Sequence, residues 1–280
     1  NYFENFNVKY FFAHHIKLSN SLVLGDISNI MNSKTILMSH GVHSSSKESL
    51  TNKSLEANAR GMLYSPFTTY TLIQSKISYE AFKNYKSDNI PLKTFPLMWG
   101  KKKLKVDTVS YKKHDKKVIL HASTFKSYFV RPWIYESAYE YIISLNKLIL
   151  AIREMKDVTL IIRVRPTPEC NFNTIKDLLI KSDNVIVKKD GKFIDDLNKS
   201  SLLISYSSTT IEEAIYERIP VAILGYSKRF NHFENIDIKE INGRSVVYKL
   251  KTNIKEHLLE IMDKHFNKPL TENEIKQYVW

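Results

Sequence analysis

From residue 117 onward the chain alternates short, strongly apolar runs with amphipathic stretches, and this rhythm restricts the folds open to it more than any other feature. "KVILHAS" (117–123), "VTLIIRV" (158–164), "NVIVKK" (184–189), "SLLISY" (201–206) and "PVAILG" (220–225) read as strands rich in Val, Ile and Leu. Between them lie "IYESAYEYIISLNKLILAIREM", "NTIKDLLIKS", the short "FIDDLNKS" and "TTIEEAIYE". In the first of these, Ile134, Ala138, Tyr141, Ile142, Leu145, Leu148, Ile149 and Ile152 recur at three- and four-residue spacing, the signature of a helix with one buried face. Strands apolar throughout, each followed by a helix, predict right-handed βαβ units around a parallel sheet covered on both faces. This is a Rossmann-like domain.

The first hundred residues carry fewer such units. "VKYFFAHH" and "KTILMSHG" read as strands around a helix near 21–31, and "ARGMLYSPF" reads as the start of another strand. A partial α/β domain over 1–105 and a Rossmann-like domain over 106–280 follow, with "KKKLKVDTVSYKKHDKK" (101–117) at the boundary. That stretch sets eight lysines against two aspartates, within a chain of 42 basic and 29 acidic residues. It reads as a solvated linker, or as a surface for anionic partners such as phospholipid headgroups or a polyanionic acceptor. No helix-turn-helix, zinc-finger or aromatic RNA-binding pattern accompanies it, so nucleic acid is not an expected partner. "TNIKEHLLEIMDKHF" reads as an amphipathic helix, for packing or for membrane docking.

The 280 residues, 43% hydrophobic, suffice for packed cores, and no run approaches the ~18 uninterrupted apolar residues of a membrane span. One cysteine, Cys170, offers neither an internal disulfide nor a metal cluster, which predicts a reducing compartment, the cytoplasm. The first residue is Asn1 with no leader pattern behind it, so the chain reads as a piece of a longer protein.

Open parallel sheets bind ligands beyond the carboxyl ends of their strands. Here those positions hold "SHGVHSSS" (39–46), "HASTFKSYFVRP" (121–132), "RVRPTPE" (163–169), "KKDGK" (188–192) and "SYSSTTIEE" (205–213), rich in hydroxyls and cations and poor in metal-binding carboxylates. Ser207, Ser208 and Thr209 precede a helix whose first N–H groups lack internal partners; they can cap it, or grip a phosphate together with those amides. Glu212 and Glu213, one turn on, suit the helix dipole, and Glu213 could instead accept hydrogen bonds from a ribose diol. Arg163 and Arg165 share a strand face and either pair with carboxylates or bind phosphate by their fork geometry. His40, at a strand end before Gly41, is a candidate general base, with His43 close behind. His14, His15 and His121 are weaker candidates, and Lys126 and Arg131 are candidate cleft cations.

These residues form an ordered set. A His40-Gly41 turn, a strand ending in Ser123-Thr124-Phe125-Lys126, a strand ending in Arg163-x-x-Pro166, "FIDDLNKSSLLIS", and "SSTTIEEA" before "IPVAIL" together resemble the GT-B glycosyltransferase superfamily. The pattern is closest to bacterial capsule and surface-polysaccharide transferases and CDP-glycerol glycerophosphotransferases, and "SSTTIEEA" is also similar to UDP-GlcNAc 2-epimerases. The resemblance implies two Rossmann-like domains facing a cleft, the N-terminal one incomplete or reduced and on the acceptor side. The C-terminal one would hold a nucleotide-activated sugar, with no cofactor and no metal. It implies donor-phosphate contacts at Ser207, Ser208 and Thr209, a ribose contact at Glu213, supporting cations at Arg163 and Arg165, and catalysis by His40. Relatives often carry His-Pro where this chain has Arg165-Pro166, and Asp-Tyr-Ser-Ser where it has Ser205-Tyr206-Ser207-Ser208. The implied function is transfer of a sugar to a surface or capsular glycan, in the cytoplasm at the inner face of the membrane. CDP-polyol phosphotransfer and a non-catalytic nucleotide- or glycan-binding module are the alternatives.

Overall fold

The computed structural model describes residues 8–39, 43–94, 116–123, 134–165, 171–250 and 252–280. They form two compact units. The first comprises the described residues of Asn1–Leu104 with Phe233–Asp237 and Gln277–Trp280, and the second those of Lys105–His232 and Ile238–Lys276. The later returns to unit 1 carry their own contacts: the Tyr278 carbonyl accepts from the Lys76 N–H at 3.2 Å, and the Trp280 indole donates to the Ile73 carbonyl at 3.2 Å. A single cut near residue 105 misses both returns, because contacts between residues some 200 positions apart leave no local pattern.

Unit 1 runs β1 (Tyr10–Ala13), α1 (Ser19–Ile30), β2 (Lys34–Met38), α2 (Ser49–Ala59), β3 (Tyr70–Ile73), α3 (Lys76–Asn84) and β4 (Ile90–Lys93). Among its described residues the four strands are parallel, in the order β1-β2-β3-β4. "ARGMLYSPF" contains no strand: the chain turns at Gly61 (φ +79°), and β3 starts later, at Tyr70. Gly61 is enforced twice over, since a Cβ there would lie 2.3 Å from the Ile16 carbonyl oxygen, and the Gly61 carbonyl accepts from the Ile16 N–H. Gly61→Ala should therefore destabilise unit 1 by roughly 2–3 kcal/mol, the left-handed backbone and the displaced Ile16 segment both contributing. A denaturation midpoint equal to the parent's would show that this turn relaxes freely.

Unit 2 continues with β5 (Lys117–Ala122), α4 (Ala138–Arg153), β6 (Val158–Arg163), α5 (Phe172–Leu178), β7 (Val185–Lys188) and α6 (Phe193–Leu197). Then come β8 (Leu202–Ser205), α7 (Thr210–Tyr216), β9 (Val221–Ile223), β10 (Val247–Lys249), α8 (Ile254–His265) and α9 (Glu272–Ile275). Among the described residues the sheet is six-stranded and parallel, ordered β10-β9-β8-β5-β6-β7. Ile119 of β5 stands opposite Leu160 on one side and Leu202 on the other. The chain fills the sheet outward from β5 to β7, then jumps back to β8 and fills the other half.

Helix α4 starts at a reciprocal cap between Ser137 and Glu140 and buries Tyr141, Leu145, Leu148, Ile149 and Ile152. They pack in one cluster with Leu160 and Ile162 of β6 and with Leu258, Ile261 and Met262 of α8. The apolar face of α8 thus lies in the core, which settles the "TNIKEHLLEIMDKHF" segment as a packing helix. No helix among the described residues is long and apolar enough to cross a membrane.

Candidate functional site

The jump from β7 back to β8 makes the space beyond Ala122 and Ser205 a topological switch point, where diverging connections leave a crevice at the carboxyl edge of the sheet. A cavity of about 220 Å³ occupies that place. Ala122 and Ser123 line it at the end of β5, Arg163, Val164 and Arg165 at the end of β6, Lys189 just after β7, and Ser208, Thr209 and Thr210 where the turn after β8 enters α7, together with Phe193 of α6.

The hydroxyl cluster divides its work. Ser205 Oγ donates to the Ala122 carbonyl at 2.9 Å and Thr210 Oγ1 to the same oxygen at 3.3 Å, so these two fasten the turn to the end of β5. Ser208 Oγ accepts from the Thr210 N–H at 3.3 Å. Thr209 occupies the cap position of α7 without a capping side-chain bond, is exposed, and lines the cavity. Ser207 is half-buried and does not line it. Glu213, half-buried one turn into α7, is not a lining residue either, and Glu212 is buried.

The two arginines separate in the same way. Arg163 donates to Asp196 Oδ2 at 2.5 Å and to the carbonyls of Asp190 (3.2 Å) and Gly191 (2.6 Å). Lys188 Nζ reaches the other oxygen of Asp196 at 2.7 Å. Burial alone would raise the Asp196 pKa, but hydrogen bonds and charge from Lys188 and Arg163 outweigh it and hold the carboxyl below its ordinary range. Arg163 therefore takes the ion-pair reading, and anchors the β7–α6 turn. Arg165, two residues on, is exposed, lines the cavity and forms no ion pair with a described residue. Lys189 joins it, with its ammonium 5.4 Å from the Phe172 ring centroid.

His121 does not reach the cavity lining. It lies inside β5, 2% exposed and 6.0 Å from the Tyr141 ring centroid, and burial lowers its pKa to about 4: a neutral core histidine. His14 and His15 contact each other at 2.6 Å in unit 1. His43 is buried, and its N–H donates to Ser78 Oγ at 3.0 Å. His40, Lys126 and Arg131 lie outside the described residues, as do residues 101–115 of the lysine-rich stretch.

Sequence reasoning did not single out Lys189, Phe193, Asp196 or Glu136. Lys189 stood in the post-strand segment "KKDGK", whose signal was position alone, and Phe193 and Asp196 stood in "FIDDLNKS", which read only as a short helix. Glu136, 4% exposed, accepts from the Tyr226 N–H at 2.6 Å and Ser144 Oγ at 3.0 Å, and burial raises its pKa. It secures the loop after β9 at Gly225, where a Cβ would sit 2.1 Å from Tyr206 Cδ2.

No family model matches the chain. It is 28% identical over 203 residues to Protein Ycf2 of Physcomitrium patens, an alignment covering 67% of this chain and 8% of that protein. Among solved structures it is similar to the UDP-GlcNAc 2-epimerase of Neisseria meningitidis bound to UDP-GlcNAc, with a TM-score of 0.57 at 14% identity, over 98% of this chain and 74% of that one. It is also similar to the pneumococcal O-GlcNAc transferase GtfA in complex with UDP and GlcNAc, with a TM-score of 0.52 at 10% identity, over 99% of this chain and 57% of that one.

Proposed function

We propose that this chain, whose fold is GT-B, belongs to a glycosyltransferase that moves a sugar from a nucleotide-activated donor to a bacterial surface or capsular glycan. The observation that carries the reading is the switch-point cavity of unit 2, where Arg165, Lys189, Ser208 and Thr209 converge. Both solved relatives named above are described with UDP or a UDP-sugar bound. Two cations and two hydroxyls suit a diphosphate, and Phe193 offers an apolar ring beside it for the nucleobase. Glu213 remains the candidate for the ribose hydroxyls, and Ser207 a second-rank phosphate contact.

The acceptor hydroxyl would attack the anomeric carbon as the bond from that carbon to the phosphate oxygen breaks. A base takes the hydroxyl proton, and His40 is the candidate for that base. The departing nucleotide keeps the bonding pair, and its growing charge falls beside Arg165 and Lys189, which would make a metal unnecessary. The lysine-rich 101–117 stretch is proposed to meet an anionic acceptor or lipid headgroups at the inner face of the membrane.

Thermal shift against UDP, CDP and CMP nucleotides tests the reading, because a ligand of the native state must stabilise it by mass action. Arg165→Ala should weaken the responding nucleotide by roughly 10- to 100-fold, and Ser208→Ala by less. His40→Ala should spare binding and abolish turnover. A nucleotide panel that never moves the melting temperature would leave a scaffold or glycan-binding module. Release of CMP from CDP-polyols, with phosphate carried into the product, would identify a polyol phosphotransferase instead.

A further inference from the structure

The loop after β2 occupies, in unit 1, the carboxyl-end position at which parallel sheets place their ligands, and a distant piece of chain holds its described part, His43–Lys47. Ser45, 3% exposed, accepts two amide donors on one hydroxyl oxygen: Asn84 Nδ2 at 2.9 Å from the end of α3, and Asn235 Nδ2 at 2.6 Å. Next to Asn235, Glu234 Oε1 accepts the Lys47 N–H at 3.1 Å. Phe233 roots this short segment, 2% exposed, with its ring perpendicular to that of Tyr278 and 5.7 Å away. The loop's other bonds go to its own neighbourhood: the His43 N–H to Ser78 Oγ, the Ser44 carbonyl from Tyr85, the Ser46 N–H to Asn52 Oδ1.

A serine oxygen has two acceptor sites, and both are used here. Removing the hydroxyl would take away the acceptor shared by exposed Asn84 and half-buried Asn235 and release both sides of the loop, while removing Asn235 would free one side and leave the Asn84 bond in place. We propose that Glu234 and Asn235 are positioning residues: Phe233–Asp237 is a strap that sets the acceptor-side loop for transfer without touching the nucleotide. This rests on the functional reading above, in which unit 1 takes the acceptor.

The full chain decides it, with Asn235→Ala, Ser45→Ala, their double variant and Glu234→Ala. Amide exchange at residues 43–47 should speed up in each single variant while the strands of unit 2 stay protected. Turnover with the responding nucleotide-sugar should fall about tenfold in Asn235→Ala with the donor KM unchanged, the signature of lost positioning rather than lost binding. The double variant should turn over no more slowly than Ser45→Ala alone, since the two residues act through one bond. Glu234→Ala, which leaves the Ser45 node intact, provides the same readings if Asn235→Ala fails to fold. Unchanged exchange at 43–47, or faster exchange with unchanged turnover, would overturn the strap while leaving the transferase standing. A parent protein with no nucleotide-dependent turnover would defeat the functional reading and the positioning role together.

Discussion

Asp196→Ala should cost unit 2 about 3 kcal/mol, seen as a melting point lower by roughly 6–12 °C. The carboxylate is 4% exposed and holds Arg163 at 2.5 Å and Lys188 at 2.7 Å. Deleting it leaves two cations facing each other beneath the cavity, the situation in which breaking a buried pair costs far more than the pair itself contributes. The loss stays at about 3 kcal/mol rather than more because the Lys188 side chain, one-third exposed, can turn toward water. Part of it should return on adding millimolar phosphate or the responding nucleotide, since Arg163 borders the cavity and would gain an anion. Asp196→Asn, which keeps the shape but not the charge, should fall between. A melting point within a degree of the parent's would mean that the three side chains make no net contribution, and Arg163 would then need another account.

Acidification from pH 7.5 to 4.5 should destabilise the protein by about 2–3 kcal/mol for each of two buried histidines. His121 is held at about 4 by burial, and His265 at about 3 by burial and then by the Arg244 charge. Both folded-state values lie below the ordinary histidine range, so the unfolded chain binds these protons first. Stability is then complete above about pH 6.5 and declines as the pH falls toward the folded values. His265 is fixed in its neutral form, with Nδ1 3.2 Å from the Arg244 guanidinium and Nε2 2.8 Å from the Tyr248 hydroxyl. Glu140, held at about 2 chiefly by its hydrogen bond to Arg229, adds a further loss only below about pH 4.5. Glu136, raised by burial, works in the opposite sense, because its folded state prefers the proton. Chemical denaturation at the two pH values reads the difference, and His121→Leu should remove about half of the slope. The same slope in that variant would assign the acid sensitivity to other groups.

The alternation after residue 117 was legible because it is local. A parallel strand covered on both faces must be apolar at every position, as Ile119, Leu120, Leu202, Leu203 and Ile204 are, each 0% exposed. Unit 1 was harder to read for the same reason in reverse. β3 and β4 are four residues each, and β4 is an edge strand bearing Pro91 and exposed Ile90 and Leu92. Helix α3 shows a buried face only at Ile77, Ser78, Ala81 and Phe82, too short a run to stand out.

The residue order alone determined that unit 2 would be a parallel α/β layer and that hydroxyls and cations would gather at its carboxyl edge, since strand periodicity and helix punctuation act over a few neighbours. Folding in three dimensions decided which of those groups remain open to a ligand. Arg163 and Arg165 look alike in the sequence, but Asp196, brought close from 33 residues on, and the Asp190 and Gly191 carbonyls engage the first while the second stays exposed. Ser205 and Thr210 are likewise consumed by the Ala122 carbonyl, more than 80 positions away. A charge or hydroxyl is spent on whichever partner the completed fold presents at bonding distance, and that distance is a property of the folded chain rather than of any window along it.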